Sequence, residues 1–298
     1  VIEAFSKPGR FWRGNIHGHS NISDGVLTPG EVCDAYRQAG YDFIAITDHF
    51  RAKDGFRIAD TRPYRDAAFT TIIGAEVHAP ATSRGVDWHI LAVGLPLDFS
   101  APEPDETGAE LARRCAQAGA FVAIPHPQWY QLTLEDGMSL DAAHAVEVYN
   151  HISAVNSDRG DGMVLHEAML AEGRRTFAIA VDDSHWKVKD AFGGWVMVKA
   201  EENTPDALLA ALKSGAFYSS QGPEFLDIRR EGNTLEIETS PVDAILVMGP
   251  VSSGVRLNGS NLTSASVPLD KFAGGWCRVA IIDANGKRAW SNPLWLAD

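Results

Sequence analysis

The stretch GNIHGHSNISDG, residues 14–25, raises the question on which the reading of the chain turns. It sets His17 and His19 two positions apart, with Asp24 five positions after the second histidine. NIHGH has the look of a short strand. In a strand, residues two apart point to the same side, which is the geometry a shared metal ion requires. Alone, the pair fits a metal site or an ordinary strand equally well, so the rest of the chain has to decide.

Working outward, strand-like and helix-like runs alternate as far as Gln221. TPGEVCDAYRQAG (28–40) carries Thr28 as N-cap, Pro29 at the first helical position, Glu31 three residues after the cap and Gly40 as a stop. DETGAELARRCAQAG (105–119), SDRGDGMVLHEAMLAEG (157–173) and TPDALLAALKSG (204–215) read as further helices. YDFIAITDH, TTIIGAEVH, WHILAVGL, AFVAIPHP, AVEVYN and RTFAIAVDDSH read as apolar strands. Apolar strands separated by helices imply a largely parallel sheet covered by helices, and their number suggests barrel-like closure. After SSQGPE (219–224) the texture changes. FLDIRR, TLEIET, DAILVMG, GVRLNG, SASVPL, WCRVAIID and NPLWLA are short strand candidates separated by turn signals, as in a small β-sandwich. The expected division is therefore residues 1–223 and residues 224–298.

The polar residues collect where these strands end. His17, His19, His49, His78, His126 and His185, six of the ten histidines, fall there with Asp24, Asp48, Glu76, Glu147, Asn150, Asp182 and Asp183. His89 is the exception, near the start of its strand. In a parallel α/β barrel the C-terminal ends of the strands carry function. Histidines and carboxylates without cysteine suit Zn, Mn or Fe(II). The three cysteines, Cys33, Cys115 and Cys277, are odd in number and widely spaced, and read as buried apolar side chains.

A formal net charge of −13 with no basic stripe argues against duplex nucleic acid as a partner. No apolar run approaches the ~20 residues of a membrane-spanning helix. A small-molecule substrate is the expected partner and the cytoplasm the expected compartment, although a chain beginning at Val1 leaves room for a removed leader.

HGHSNISDG, ITDH, GAEV, WHILAVG, IPHP and DDSH occur in the order seen in PHP (polymerase and histidinol phosphatase) metal-dependent hydrolases, and the resemblance covers about residues 15–224. It implies a distorted (β/α)7 barrel with two or three divalent ions, Zn, Mn or Fe, at one face. Carried over position by position, it implies His17, His19, Asp24, His49, Glu76, His89, His126, Asp183 and His185 as ligands. Glu76 would be the bridging carboxylate, and Asp24 takes a place that is histidine in some relatives. The added β module, with its ending RAWSNPLWL, looks most like the carbaryl-hydrolase-like (CehA/McbA-like) branch.

Such a cluster implies hydrolysis by a hydroxide activated on metal, with no serine or cysteine nucleophile. Ser20, Ser23 and Ser184 lie beside ligands but lack the partners of a triad. Asp48 and His78 are the candidates for the proton donor; Asp48 also fits a hydrogen bond to a ligand or a helix cap, and His78 a surface loop. Glu147, Asn150 and Asp182 are candidates for supporting the ligands or touching substrate. His144 and His166 read as structural, and so does His151, although its neighbour Asn150 keeps substrate contact open for it. Relatives acting on phosphomonoesters often follow His-Pro with an arginine. Here Gln128, Trp129 and Tyr130 follow, to wall a substrate cleft or simply to pack. Arg51, Arg84 and Lys187 are the cations that could replace it, unless they are only solvated. The expected activity is phosphoester hydrolysis. A carbamate, amide or carboxylic ester is the alternative substrate class, and a non-catalytic metal-bound scaffold the minor one.

Overall fold

The computed structural model describes residues 2–296. Its strands are β1 (Arg10–Asn15), β2 (Phe43–Ile46), β3 (His49–Phe50), β4 (Thr70–Ala79), β5 (Trp88–Val93), β6 (Phe121–Ile124), β7 (Ala145–Asn150) and β8 (Phe177–Val181). They continue with β9 (Trp195–Ala200), β10 (Phe217–Ser220), β11 (Phe225–Glu231), β12 (Thr234–Met248), β13 (Gly254–Pro268), β14 (Trp276–Ile282), β15 (Arg288–Ser291) and β16 (Leu294–Trp295). The α-helices are α1 (Glu3–Ser6), α2 (Pro29–Gln38), α3 (Gly108–Gln117), α4 (Leu134–Ser139), α5 (His151–Ser157), α6 (Met163–Ala171) and α7 (Pro205–Ser214).

Local chemistry sets the helix ends. Thr28 and Thr107 each form a reciprocal capping box, with Glu31 and Glu110, at the starts of α2 and α3. Gly215 ends α7 at φ +75°, a conformation glycine adopts without a side-chain clash.

The sheet runs β11-β12-β14-β15-β10-β9-β1-β2-β4-β5-β6-β7-β8. It is mixed rather than largely parallel. β1, β2 and β4 pair in parallel, as do β6, β7 and β8. β5 is antiparallel to both neighbours, and β9 is antiparallel to β1 and β10. β5 reverses because only the short connection 80–87 separates it from β4, too short for a helical crossover.

Eight strands turn apolar residues toward one cluster that includes Phe43, Ile72, Leu91, Phe121, Ala145, Ile179, Val196 and Phe217. The sheet therefore curls around a common core. Among the described residues no backbone ladder joins β8 to β9 or β10. Ser219 spans that gap instead: its hydroxyl donates to Ala178 O at 2.8 Å and accepts from Ala180 N at 3.0 Å.

The C-terminal strands differ from the expected set of short pieces. TLEIET and DAILVMG form one strand, β12, and GVRLNG and SASVPL form another, β13. Pro241 interrupts β12 without ending it, because the β12–β13 ladder changes register on either side of Val242 and absorbs the missing donor as a bulge. These strands have their own core, in which Ile237, Ile245, Val267, Val279 and Ile281 meet Ile2 and Ala4 from the N-terminal end of the chain. The β10–β15 ladder joins this region to the curled sheet. NPLWLA is represented by the two residues of β16, and its Ala297 lies outside the described residues. The run expected as one helix over 157–173 is loop up to Met163, where α6 starts, and α5 precedes it.

Candidate metal centre

One end of the curled sheet holds a ring of histidines and carboxylates. Glu76 and His78 lie two apart on β4 and share a face. His89 is opposite His78 in the antiparallel β4–β5 pair, and His49 is opposite Glu76 in the β3–β4 pair. The reversal of β5 thus explains why a residue at the start of a strand joins residues at the ends of others. His17 and His19 follow β1 rather than lying in it. Their segment is zipped to the one after β8, with Asp183 N donating to His17 O at 2.9 Å and His19 N to Ser184 O at 2.8 Å. Strand alternation does not place Asp183 and His185 either. Asp183 has φ +54°, so the chain turns there and brings both side chains inward.

Glu76 is 1% exposed and lies at the middle of the cluster. Its Oε1 is 2.8 Å from His89 Nδ1 and 3.0 Å from His126 Nε2. Its Oε2 is 2.8 Å from His49 Nδ1, 3.5 Å from His19 Nε2 and 3.7 Å from His17 Nε2. Asp183 Oδ1 faces His19 Nε2 at 2.9 Å and His17 Nε2 at 3.3 Å. Asp24 Oδ1 faces His185 Nε2 at 3.3 Å and His49 Nε2 at 3.5 Å. All nine ligand candidates therefore meet in one place.

Several atoms there lack protein partners. His17 Nε2, His126 Nδ1 and Asp24 Oδ1 are buried without a hydrogen bond among the described residues. Leaving buried polar atoms unpaired is costly, and cations bound in the cluster would give such atoms partners. Four groups have donors close enough to share an ion: His19, Asp24, His49 and His185; His49, Glu76, His78 and His89; His17, His19 and Glu76; and His17, His126 and Asp183. The residues fit a multinuclear centre of nitrogen and oxygen ligands.

Charge supports the same conclusion. Burial would raise the pKa of Glu76, yet His49 and His89 outweigh it and hold the carboxyl well below its usual range. Burial opposes ionisation of Asp183 and Asp24 too, and the facing histidines again hold both low. The centre is a buried set of carboxylates kept ionised by neighbouring positive charge.

A surrounding layer fixes these groups. Glu147 Oε1 accepts from His17 Nδ1 at 2.6 Å, and its Oε2 accepts from His126 N and Asn150 Nδ2. Asn150 Nδ2 also donates to Asp183 Oδ2 at 3.1 Å, while Asn150 Oδ1 caps α5. Asp48 turns away from the ring and accepts from the backbone and hydroxyl groups of Ser20 and Ser23, holding the loop that carries His19 and Asp24. Asp182 accepts from Tyr36 and from the amides of Phe192, Gly193 and Gly194, and burial pushes it up to about 6.

A cleft of about 410 Å³ opens onto the cluster. Arg51, Lys53 and Lys187 form a basic side, with Arg51 Nη2 and Lys187 Nζ each 3.9 Å from Asp24 Oδ2. Trp129 and the α5 residues Ile152, Ser153, Asn156 and Ser157 also line it. Tyr130 does not wall the cleft; it is packed behind, with its ring 5.7 Å from that of His89 and 5.2 Å from that of His126. Gln128 and Arg84 lie outside the cleft and line other surface hollows: the turn after His126 directs Gln128 away, and Arg84 sits in the β4–β5 connection with its Nε donating to Gln131 O. His144 and His166 are structural: each hydrogen-bonds backbone, at Val122 N and Thr176 O. The sequence reading missed Lys53, the α5 wall and Asn15, whose side chain bonds His17 O and Asp182 N. Asn150 as a helix cap was the available signal for α5.

No protein-family model matches the chain. No curated protein matches it by sequence. Among solved structures it resembles a two-domain protein from Bacteroides vulgatus containing a predicted PHP-like metal-dependent phosphoesterase, at 15% identity and a TM-score of 0.56 over 99% of both chains. The likeness is one of fold: the two chains share an architecture along their whole length. A protein from Bifidobacterium adolescentis predicted to be a metal-dependent phosphoesterase gives 14% identity and a TM-score of 0.43, over 58% of this chain and 87% of that one. An amidohydrolase from Chromobacterium violaceum with bound sulfate gives 16% and 0.47, over 59% and 89%.

Proposed function

We propose that the chain is a metal-dependent hydrolase acting on phosphate esters, built as a distorted (β/α)7 PHP barrel with an appended β module at residues 224–298. The observation that carries this reading is Glu76. Its two oxygens face five histidines from four separate segments, as a bridging carboxylate must. His17, His19, Asp24, His49, Glu76, His89, His126, Asp183 and His185 would hold two or three divalent ions, of which Zn, Mn and Fe suit the donors. When bound, such ions lower the pKa of a coordinated water toward ~7 and polarise the oxygen of the scissile bond.

The chain's own groups supply the rest. Glu147 fixes the ring of His17, and Asp48 fixes the loop bearing His19 and Asp24. Arg51, Lys53 and Lys187 give the cleft positive charge for an anionic substrate, and Trp129 with Ile152 offers apolar surface to its leaving group. The two-domain fold neighbour, which contains a predicted PHP-like metal-dependent phosphoesterase, supports the metal-dependent hydrolase part of this reading.

A second reading, hydrolysis of a carbamate, amide or carboxylic ester, rests on the turn after His126. It presents Trp129 to the cleft and no arginine, so the grip on a phosphate dianion falls to cations at the rim. A panel with Mn- or Zn-loaded protein separates the readings. Turnover of p-nitrophenyl phosphate or its diester, and not of aryl carbamates or esters, supports the first; the reverse supports the second. No turnover of any member points to a binding scaffold.

A further inference from the structure

His78 lies outside the nine-residue ligand set, yet its surroundings are those of a ligand. It is 8% exposed and does not line the cleft, so it meets no substrate. Its Nε2 lies 2.9 Å from His49 Nδ1, and its ring centre is 4.3 Å from that of His89. His49 Nδ1 is at the same time 2.8 Å from Glu76 Oε2. An imidazole nitrogen carries at most one proton, so a single hydrogen would have to serve both the carboxylate and the second ring. A divalent cation among the three satisfies them together. Donors bonded to one ion at about 2.0–2.2 Å sit about 3 Å apart when cis, which is the spacing seen here.

The backbone places these groups without strain. His49 and Glu76 are direct partners across β3 and β4, and His78 and His89 are direct partners across β4 and β5. All four residues belong to strands, and their donor atoms lie within 4.8 Å of one another. Cross-strand neighbours on one face hold their side chains close, so the patch is preformed.

Resting on the metal-hydrolase reading, we infer that His78 is a tenth metal ligand, holding a divalent ion with His49, Glu76 and His89. The other ring nitrogen of His49 faces Asp24, whose group with His19 and His185 keeps three donors without His49, so the two positions can be filled together. His78 thereby sets how many ions the cluster carries.

The test is metal content after loading with Mn or Zn and removal of free ion. The wild-type protein is compared with His78→Ala, His78→Gln and Asp24→Ala, each checked for folding by circular dichroism. Loss of one ion equivalent in both His78 variants, with this position kept in Asp24→Ala, is expected. In the cobalt-loaded protein the His78 variants should also lose part of the visible absorption. Unchanged metal content and spectrum in a folded His78 variant would overturn the inference while leaving the hydrolase reading intact. A wild-type protein that binds no divalent metal would overturn both.

Discussion

Glu147 Oε1 lies 2.6 Å from Nδ1 of His17, and both side chains are fully buried. The carboxylate fixes the proton on Nδ1, so Nε2 is left as the free donor aimed into the cluster. The same carboxylate holds the backbone of His126, which sits at φ +30°. One buried acid therefore orients two ligands. Glu147→Gln keeps the shape and removes the charge. It should weaken metal binding by about 10–100-fold, the usual cost of losing such a partner. A chelator competition titration reads this directly, and unchanged affinity would remove Glu147 from the design.

His17 and Asp183 face each other at 3.3 Å and share a candidate group with His126, and His17 belongs to a second group with His19 and Glu76. His17→Ala or Asp183→Ala should remove bound metal and hydrolysis together. Elemental analysis alongside an activity assay checks the pairing. Full activity in either folded variant would refute the cluster as the seat of the chemistry.

The basic rim gives a different pattern. Arg51 Nε donates to Asp54 Oδ2 at 2.6 Å, but its Nη2 and Lys187 Nζ approach Asp24 only at 3.9 Å, leaving these atoms able to meet a substrate anion. Arg51→Ala and Lys187→Ala should each raise KM for a phosphate ester about tenfold, equivalent to ~1.4 kcal/mol, with kcat little changed. The effect should shrink at high salt. Loss of metal in these variants would instead assign both cations to Asp24.

Protonation of the histidines gives a stability signature. Burial lowers the pKa of His49, but Glu76 and Asp24 outweigh it and hold it at about 9; His17 and His185 are raised as well. With an unfolded value of ~6.5, their contribution is complete below that pH and lost as pH rises through the folded value. His19, lowered to about 4, and His78, lowered to about 2, chiefly by burial, act in the opposite sense. Their contribution is lost as pH falls below ~6.5. Metal-stripped protein should therefore melt highest near pH 6.5 and lose Tm toward pH 9. Adding Mn or Zn should raise Tm most on the alkaline side, because ligand histidines bind metal unprotonated. A flat melting profile between pH 6.5 and 9 in chelator would contradict this assignment.

Much of this centre is legible in the chain because metal ligation fixes residue type and strand order fixes proximity. His49, Glu76 and His126 are found by asking where apolar runs end. Strand alternation, however, is the wrong local reason for His17 with His19 and for Asp183 with His185. Those pairs sit in segments held by backbone bonds between His17, His19, Asp183 and Ser184, contacts far apart in sequence. The cleft wall is harder to read. Ile152 and Ser153 enter it from a two-turn helix with no amphipathic pattern of its own, set by the Asn150 cap. The joining of Ile2 and Ala4 to the C-terminal core is a tertiary pairing that no local pattern encodes.

The C-terminal strands reach the cleft through three side chains. Trp290 on β15 stacks on Tyr149, with ring centres 6.0 Å apart and planes 22° from parallel. Tyr149 OH is 2.8 Å from Nδ1 of His151, the first residue of α5, and the His151 ring lies against Gly193, where a Cβ would come within 2.2 Å. α5 carries Ile152 and Ser153 into the cleft. Trp290 is 7% exposed, so Trp290→Ala should cost about 3 kcal/mol in stability, in the range for truncating a buried aromatic. Because the ligands sit on other elements, that variant should keep its metal and its kcat while KM rises several-fold. Trp290→Phe, which restores a stacked ring, should recover most of the KM. Equal KM in the wild type and a folded Trp290→Ala would show that the stacking contributes stability alone and that α5 is held without it.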